Sequence, residues 1–135
     1  MEKRKVIFDT DPGQDDAVAI LTALASPELD VLGICTVAGN IPLDLTTKNA
    51  LKLVELAGRT DVPVHAGCDR PLGRALVTAE HVHGATGLDG PDLPEPAIAA
   101  GSAHGVDFLI ETVRAHAPDS GPLLALGPVT NVALA

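Results

Sequence analysis

At 135 residues, with 9 Lys and Arg against 18 Asp and Glu, the chain carries a net charge of −9. That balance excludes a surface built for nucleic-acid phosphates, which needs clustered Lys and Arg. A hydrophobic fraction of 46% and a charged fraction of 20% exclude a disordered chain and fit one globular domain, able to bury roughly two-thirds of its unfolded surface.

Lys5 to Asp9 predicts a short buried strand, and Pro12-Gly13 the turn after it. Asp15 to Ala25 is almost wholly apolar beyond its two acids, which predicts a helix buried on most sides. Leu29 to Val37 is a second β-like run ending before Gly39. Asp44 to Ala57 predicts a helix closed by Gly58, a residue favoured just past a helix end. Val62 to Ala66 is a third strand. Gly67 to Ala100 has little periodicity and reads as a long functional loop holding at most one short element. Val106, Leu109, Ile110 and Val113 then recur at helical spacing, Leu123 to Leu126 is a fourth strand, and a further helix begins after Pro128. Strands alternating with helices predict an α/β fold with a mainly parallel sheet. Ligands of such sheets sit beyond the carboxyl ends of the strands, where Asp9 to Asp16, Val37 to Asn40 and Leu126 to Asn131 all fall.

No apolar run approaches the roughly 20 residues that span a bilayer. Met1-Glu2-Lys3-Arg4-Lys5 leads into the first strand without the apolar region of a signal peptide, so a cytoplasmic address is expected, without membrane or nucleic-acid partners. Cys35 and Cys68 are too few and too distant in sequence for a disulfide framework or a thiolate metal site, and read as reduced core thiols. With no Trp or Tyr and only Phe8 and Phe108, a wall for stacking a flat base is expected to be missing.

Asp9, Asp11, Asp15 and Asp16 fall within eight residues, after a strand and into a helix. At about 5 Å and an effective dielectric near 20, each carboxylate pair repels by roughly 3 kcal/mol. Gathering them needs a cation, protonation or strong hydrogen bonding. Oxygen-only donors favour Ca²⁺ or Mg²⁺ over zinc. One such Asp is better explained as a helix cap or a turn residue; four are not. An EF-hand beginning at Asp9 fails, because Gln14 and Ile20 stand where Gly and Glu are required. Asp9-Thr10-Asp11 also resembles the Asp-x-Asp of haloacid-dehalogenase-type phosphatases, but Gly13 departs from that motif. Neither the dinucleotide nor the P-loop glycine spacing is present.

Asp9-Thr10-Asp11-Pro12-Gly13-Gln14-Asp15-Asp16-Ala17 resembles the signature of the inosine-uridine-preferring nucleoside hydrolases. Thr36-Val37-Ala38-Gly39-Asn40, Thr46-Thr47-Lys48-Asn49-Ala50, His83 to Gly90 and Gly127-Pro128-Val129-Thr130-Asn131 are similar to later blocks of that family, in order. The resemblance implies a Rossmann-like core with helices on both faces, and hydrolysis of the N-glycosidic bond of ribonucleosides to free base and ribose. It implies Ca²⁺ bound by Asp11, Asp16 and the backbone carbonyl of Leu126. It further implies Asp15 and Asn40 on ribose hydroxyls, and His83 near the leaving base as a substrate-binding and catalytic residue. Asp11 would take a proton from the attacking water, and Asp9 would orient its neighbours. Charge develops on ribose in an oxocarbenium-like transition state, which carboxylates stabilise.

Among the other histidines, His65 reads as a core or pocket-rim residue, His104 and His116 as solvent-facing, and His81 as a loop neighbour of His83. Asn131 is expected to satisfy backbone groups near the acidic loop. Family members are usually more than twice as long, so residues 1–135 read as the N-terminal part of a single hydrolase domain. A later Asp, His and aromatic wall find no match here. The expectation is therefore a chain inactive by itself, whose full-length form is a homo-oligomer. Phosphatase chemistry, or a non-catalytic module binding Ca²⁺ or nucleoside, are the alternatives.

Overall fold

A computed structural model describes residues 2–135. In chain order the elements are β1 (Arg4–Thr10), α1 (Gln14–Ala25), β2 (Leu29–Thr36), α2 (Leu43–Leu56), β3 (Val64–Ala66), α3 (Glu80–His83), α4 (Gly105–Arg114), β4 (Leu123–Ala125) and α5 (Thr130–Leu134). The sheet runs β3-β2-β1-β4, and every pairing is parallel. The chain winds outward from β1 to β3, then crosses back to place β4 on the far side of β1. The gap between β1 and β4 is therefore the point where strand order reverses, the usual crevice for ligands in an open parallel sheet.

Period-two alternation sorts the strand side chains between two layers. Val6 and Phe8 of β1 and Ile34 of β2 enter one core with Ile20 of α1 and Leu53 and Val54 of α2. Ile7 and Cys35 point the other way, onto Leu109 of α4. Helices thus cover both faces, as the strand and helix alternation predicts. Phe8, Ile20, Ile34 and Leu53 are fully enclosed, and each contributes roughly 1.5–3 kcal/mol of burial free energy.

Element limits follow local chemistry. Gly58 adopts φ 65°, and the amides of Gly58 and Arg59 bond back to Glu55 and Val54, a Schellman closure of α2. β3 is shorter than its apolar run because Pro63 has no amide to give the ladder, although its carbonyl accepts from Ile34. One expectation changes: α1 is not buried on most sides. Its buried residues are Asp16, Ala17, Ile20, Ala23 and Leu24, one stripe at helical spacing, while Val18 is 66% exposed. A helix lying on one sheet face has only that face to pack against. Among the described residues, no helix is long and apolar enough to cross a membrane.

Candidate functional site

β1 delivers Asp9 and Thr10 to the carboxyl edge of the sheet, and Asp11-Pro12-Gly13 turns the chain into α1. Gly13 is the helix N-cap and no side chain caps it, so neither Asp15 nor Asp16 is spent on that task. Asp9, Asp11 and Asp16 are buried, with 0%, 4% and 7% exposure, whereas Asp15 faces solvent.

Each buried acid has its own hydrogen-bond partners. The Asn40 amide donates to Asp11 Oδ2 at 2.7 Å, and Asn40 Nδ2 donates to the Asp11 carbonyl at 3.1 Å. Thr10 Oγ1 donates to Asp16 Oδ2 at 2.7 Å. Asn131 Nδ2 donates to Asp9 Oδ1 at 2.8 Å, while Asp9 Oδ2 is buried with no partner. Two glycines let other loops close on Asp11. A Cβ on Gly39 would strike Asp11 Oδ2, and one on Gly127 would come within 2.7 Å of Asp11 Oδ1. Asp11 is therefore held between the loop after β2 and the loop after β4. Leu126 immediately precedes Gly127, and its amide donates to the Asp9 carbonyl at 2.8 Å.

Desolvation dominates the electrostatics. Burial pushes the Asp11 carboxyl up to about 6, and the nearby Asp16 charge adds to the rise. Burial also raises Asp16 first of all, with a further rise from Asp15, while Thr10 and His83 oppose it. Burial raises Asp9 against the Asn131 bond. Among the described residues, no Lys or Arg forms an ion pair with any of these acids. Buried carboxyls facing each other without a cationic partner favour either a shared proton or a bound cation.

The donor set fits a hard cation and does not enclose one. Among the described residues, no three His, Cys, Asp or Glu side chains gather into a metal-binding group. Asp11 and Asp16 offer oxygen donors only, the chemistry of a hard cation such as Ca²⁺ or Mg²⁺, and a full coordination shell needs further oxygens. His83 lies at the same place. Its ring packs on Gly13, where a Cβ would come within 2.7 Å of Nδ1, and that Nδ1 is buried without a partner. Asn40 is half-buried beside Asp11. The fold thus brings Asp11, Asp16, Asn40 and His83 together, sets Asp15 on the rim, and brings the Leu126–Gly127 loop against Asp11.

Sequence reasoning missed three contributors. Thr10 fixes Asp16, as above. Asn49 Nδ2 donates to the Pro12 carbonyl at 3.1 Å and the Thr86 carbonyl at 2.7 Å, tying the acidic loop to the His83 loop. Gln14 Nε2 adds a second tie, to the Asp89 carbonyl at 3.0 Å. Asn49 sits in a quoted motif block, so its signal was present without a role. Asn131 meets backbone groups as expected, and also Asp9, which was not foreseen. His65 stacks on Phe108 with ring centroids 4.3 Å apart. His104 caps α4 by accepting from the Val106 amide, and His116 bonds the Thr112 carbonyl, so all three have structural partners.

A sequence model described as inosine-uridine preferring nucleoside hydrolase matches residues 6–135. An uncharacterized protein of Schizosaccharomyces pombe is 53% identical over 97% of the chain and 42% of its own length. The pyrimidine-specific ribonucleoside hydrolase RihA of Citrobacter koseri is 50% identical over 96% of the chain and 41% of its own length. Among solved structures, a plant nucleoside hydrolase superposes with TM-score 0.86 at 44% identity, covering 96% of this chain and 41% of that one. A purine-preferring ribonucleoside hydrolase from Gardnerella vaginalis superposes with TM-score 0.90 at 31% identity, covering 96% and 42%. The chain spans less than half the length of these relatives.

Proposed function

The chain belongs to the inosine-uridine preferring nucleoside hydrolase family, and on that premise we propose that it supplies the metal- and ribose-binding part of an enzyme that hydrolyses the N-glycosidic bond of ribonucleosides. Residues 1–135 are then one portion of a single hydrolase domain. The observation that carries the reading is the buried pair Asp11 and Asp16 at the strand-order reversal, with no Lys or Arg ion pair among the described residues.

Asp11, Asp16 and the Leu126 carbonyl would hold Ca²⁺, which would supply Lewis acidity to water and to the ribose hydroxyls. Asp11 accepts the proton of the attacking water at its carboxylate, oriented by the two Asn40 bonds. Asp15, exposed on the first turn of α1, and Asn40 meet ribose hydroxyls. The acidic cluster opposes the positive charge that grows on ribose as the bond to the base lengthens. His83, whose ring packs on Gly13 close to Asp16, is the residue proposed to donate to the leaving base.

Relatives named for pyrimidine and for purine preference both match this same stretch. Both classes share a ribose, the part of the substrate that Asp15 and Asn40 are proposed to meet. The reading carries a cytoplasmic address and, at family length, a homo-oligomer.

The test is Asp11→Asn in a protein completed to family length, assayed with inosine and uridine by reducing-sugar release. The expected fall in kcat is roughly 10²–10⁴-fold, the scale for loss of a general base, whereas His65→Ala changes it far less. Hydrolysis at the original rate by the Asp11 variant rules the mechanism out. A chain that binds zinc tightly and ignores calcium in calorimetry rules out the oxygen-donor site.

A further inference from the structure

We propose that Asn131 is a positioning residue for the cation site, acting as the strut that holds the loop after β4 against Asp11. The proposal rests on the metal reading above and assigns a role to a side chain that touches neither metal nor substrate.

Beyond the Leu126 amide bond to the Asp9 carbonyl and the packing of α5 on α4, the segment from Leu123 onward has little to fix it. β4 pairs with β1 over only Ile7, Phe8 and Asp9, and Leu126 and Val129 stand 42% and 59% exposed. Yet the same segment must bring Leu126 and Gly127 against Asp11. Asn131, at 0% exposure, makes bonds that reach every neighbouring strand end. Its Nδ2 donates to Asp9 Oδ1 on β1 at 2.8 Å and to the Thr36 carbonyl ending β2 at 3.0 Å. Its Oδ1 accepts from the Cys68 amide beyond β3 at 2.8 Å.

Gly67 leaves the room for this amide, since a Cβ there would overlap the Asn131 side chain. Only a planar group with two donor hydrogens and an acceptor satisfies all three neighbours, which selects Asn over Asp, Ser or Leu. Because the strut spans from α5 to β1, its loss frees the Leu126–Gly127 loop while leaving the Asn40 clamp on Asp11 and the Thr10 bond to Asp16 in place. Residues that hold ligands in position in this way commonly govern metal affinity without contacting the ion.

The experiment follows backbone amide shifts of the ¹⁵N-labelled chain during titration with CaCl₂. In the unaltered chain, Asp11, Asp16 and Gly127 shift together with one dissociation constant. Asn131→Ala is expected to weaken that constant roughly 10–100-fold and to uncouple Gly127, while Asp11 and Asp16 still respond. Gly67→Ala, which crowds the amide without removing it, shows the same pattern and carries the test if Asn131→Ala does not fold. Leu53→Ala, in the core on the other sheet face, lowers thermal stability but keeps the calcium constant.

Unchanged affinity and a Gly127 shift that persists in Asn131→Ala and Gly67→Ala overturn the proposal. Equal weakening by Leu53→Ala also overturns it, by reducing the effect to general stability. If the unaltered chain shows no calcium shifts at Asp11 and Asp16, the metal reading itself fails and takes the strut with it.

Discussion

Thr10 Oγ1 and Asp16 Oδ2 meet at 2.7 Å, both buried, across the turn that joins β1 to α1. The bond fixes one of the two carboxylates proposed as ligands from a residue on the preceding strand. Thr10→Val keeps the shape and deletes the donor. In urea melts without metal, the loss should be about 1–3 kcal/mol, the cost of leaving a buried acceptor unsatisfied, and calcium affinity should fall with it. A neutral Thr10→Val would show that Asp16 is held by other contacts.

Asp11→Asn should stabilise the calcium-free chain while abolishing its calcium response. At pH 7.5 the Asp11 carboxylate is ionised in a site that raises its pKa from 3.8 to about 6. Removing the charge therefore relieves roughly 1–3 kcal/mol. The amide oxygen of Asn can still accept from the Asn40 amide. Melts in chelator, then in millimolar calcium, check both halves.

The pH dependence runs opposite to that of a salt-bridged acid. Asp11 holds its proton more tightly folded than unfolded, so the native state binds more protons between pH 3.8 and about 6. Stability therefore falls as pH rises through that window. Asp9 and Asp16, raised by burial in the same direction, add to the fall. Calcium should reverse it, stabilising the chain above the window and doing little below, where protons occupy the carboxylates. Thermal melts from pH 4 to pH 8, with chelator and with calcium, give the two curves. A calcium increment that does not grow with pH contradicts this.

Gly39→Ala should expel the Asp11 carboxyl from its seat. The added Cβ would overlap Asp11 Oδ2 and come within 2.8 Å of Pro128 Cδ. A loss of about 1–3 kcal/mol is expected for such overpacking, with calcium binding lost as well. Gly73→Ala, where nothing lies within 4 Å of the new atom, should leave calcium binding unchanged. Parallel melts and calorimetry on the two variants make the comparison.

The chain by itself should self-associate and release little ribose from nucleosides. A groove beside β4 is lined by Leu109, Ile110, Val113, Leu123 and Val132. Val113, Val129 and Leu134 are at least half exposed at 59%, 59% and 50%. Apolar surface next to an uncovered strand edge invites association. Sedimentation should show weight-average mass rising with concentration, and Val113→Lys should shift the chain toward monomer. Steady turnover by a monomer in a reducing-sugar assay would contradict both expectations.

The sequence by itself determined the elements other than the short α3, because strand and helix periodicities, Pro63, Gly58 and the Pro12-Gly13 turn act over a few residues. It also determined that oxygen donors crowd the end of the first strand, since four acids in eight residues are a local fact. Asp11, Asp16, Asn40 and His83 were legible as motif positions and do fall together. Asn131 was read as a residue satisfying backbone near the acidic loop, yet its bond to Asp9 spans 122 residues, and no local pattern announces such a partner. Thr10 lies one residue past the strand that periodicity predicts, and Asn49 within a predicted helix, and only the fold gives each a bond to the acidic loop. Nor could the apolar run of α1 say which of its sides would meet the sheet. Only the tertiary structure decided these, because pairing across strand ends depends on which strands become neighbours, and β4 becomes the neighbour of β1 through a long crossover rather than through any short-range signal.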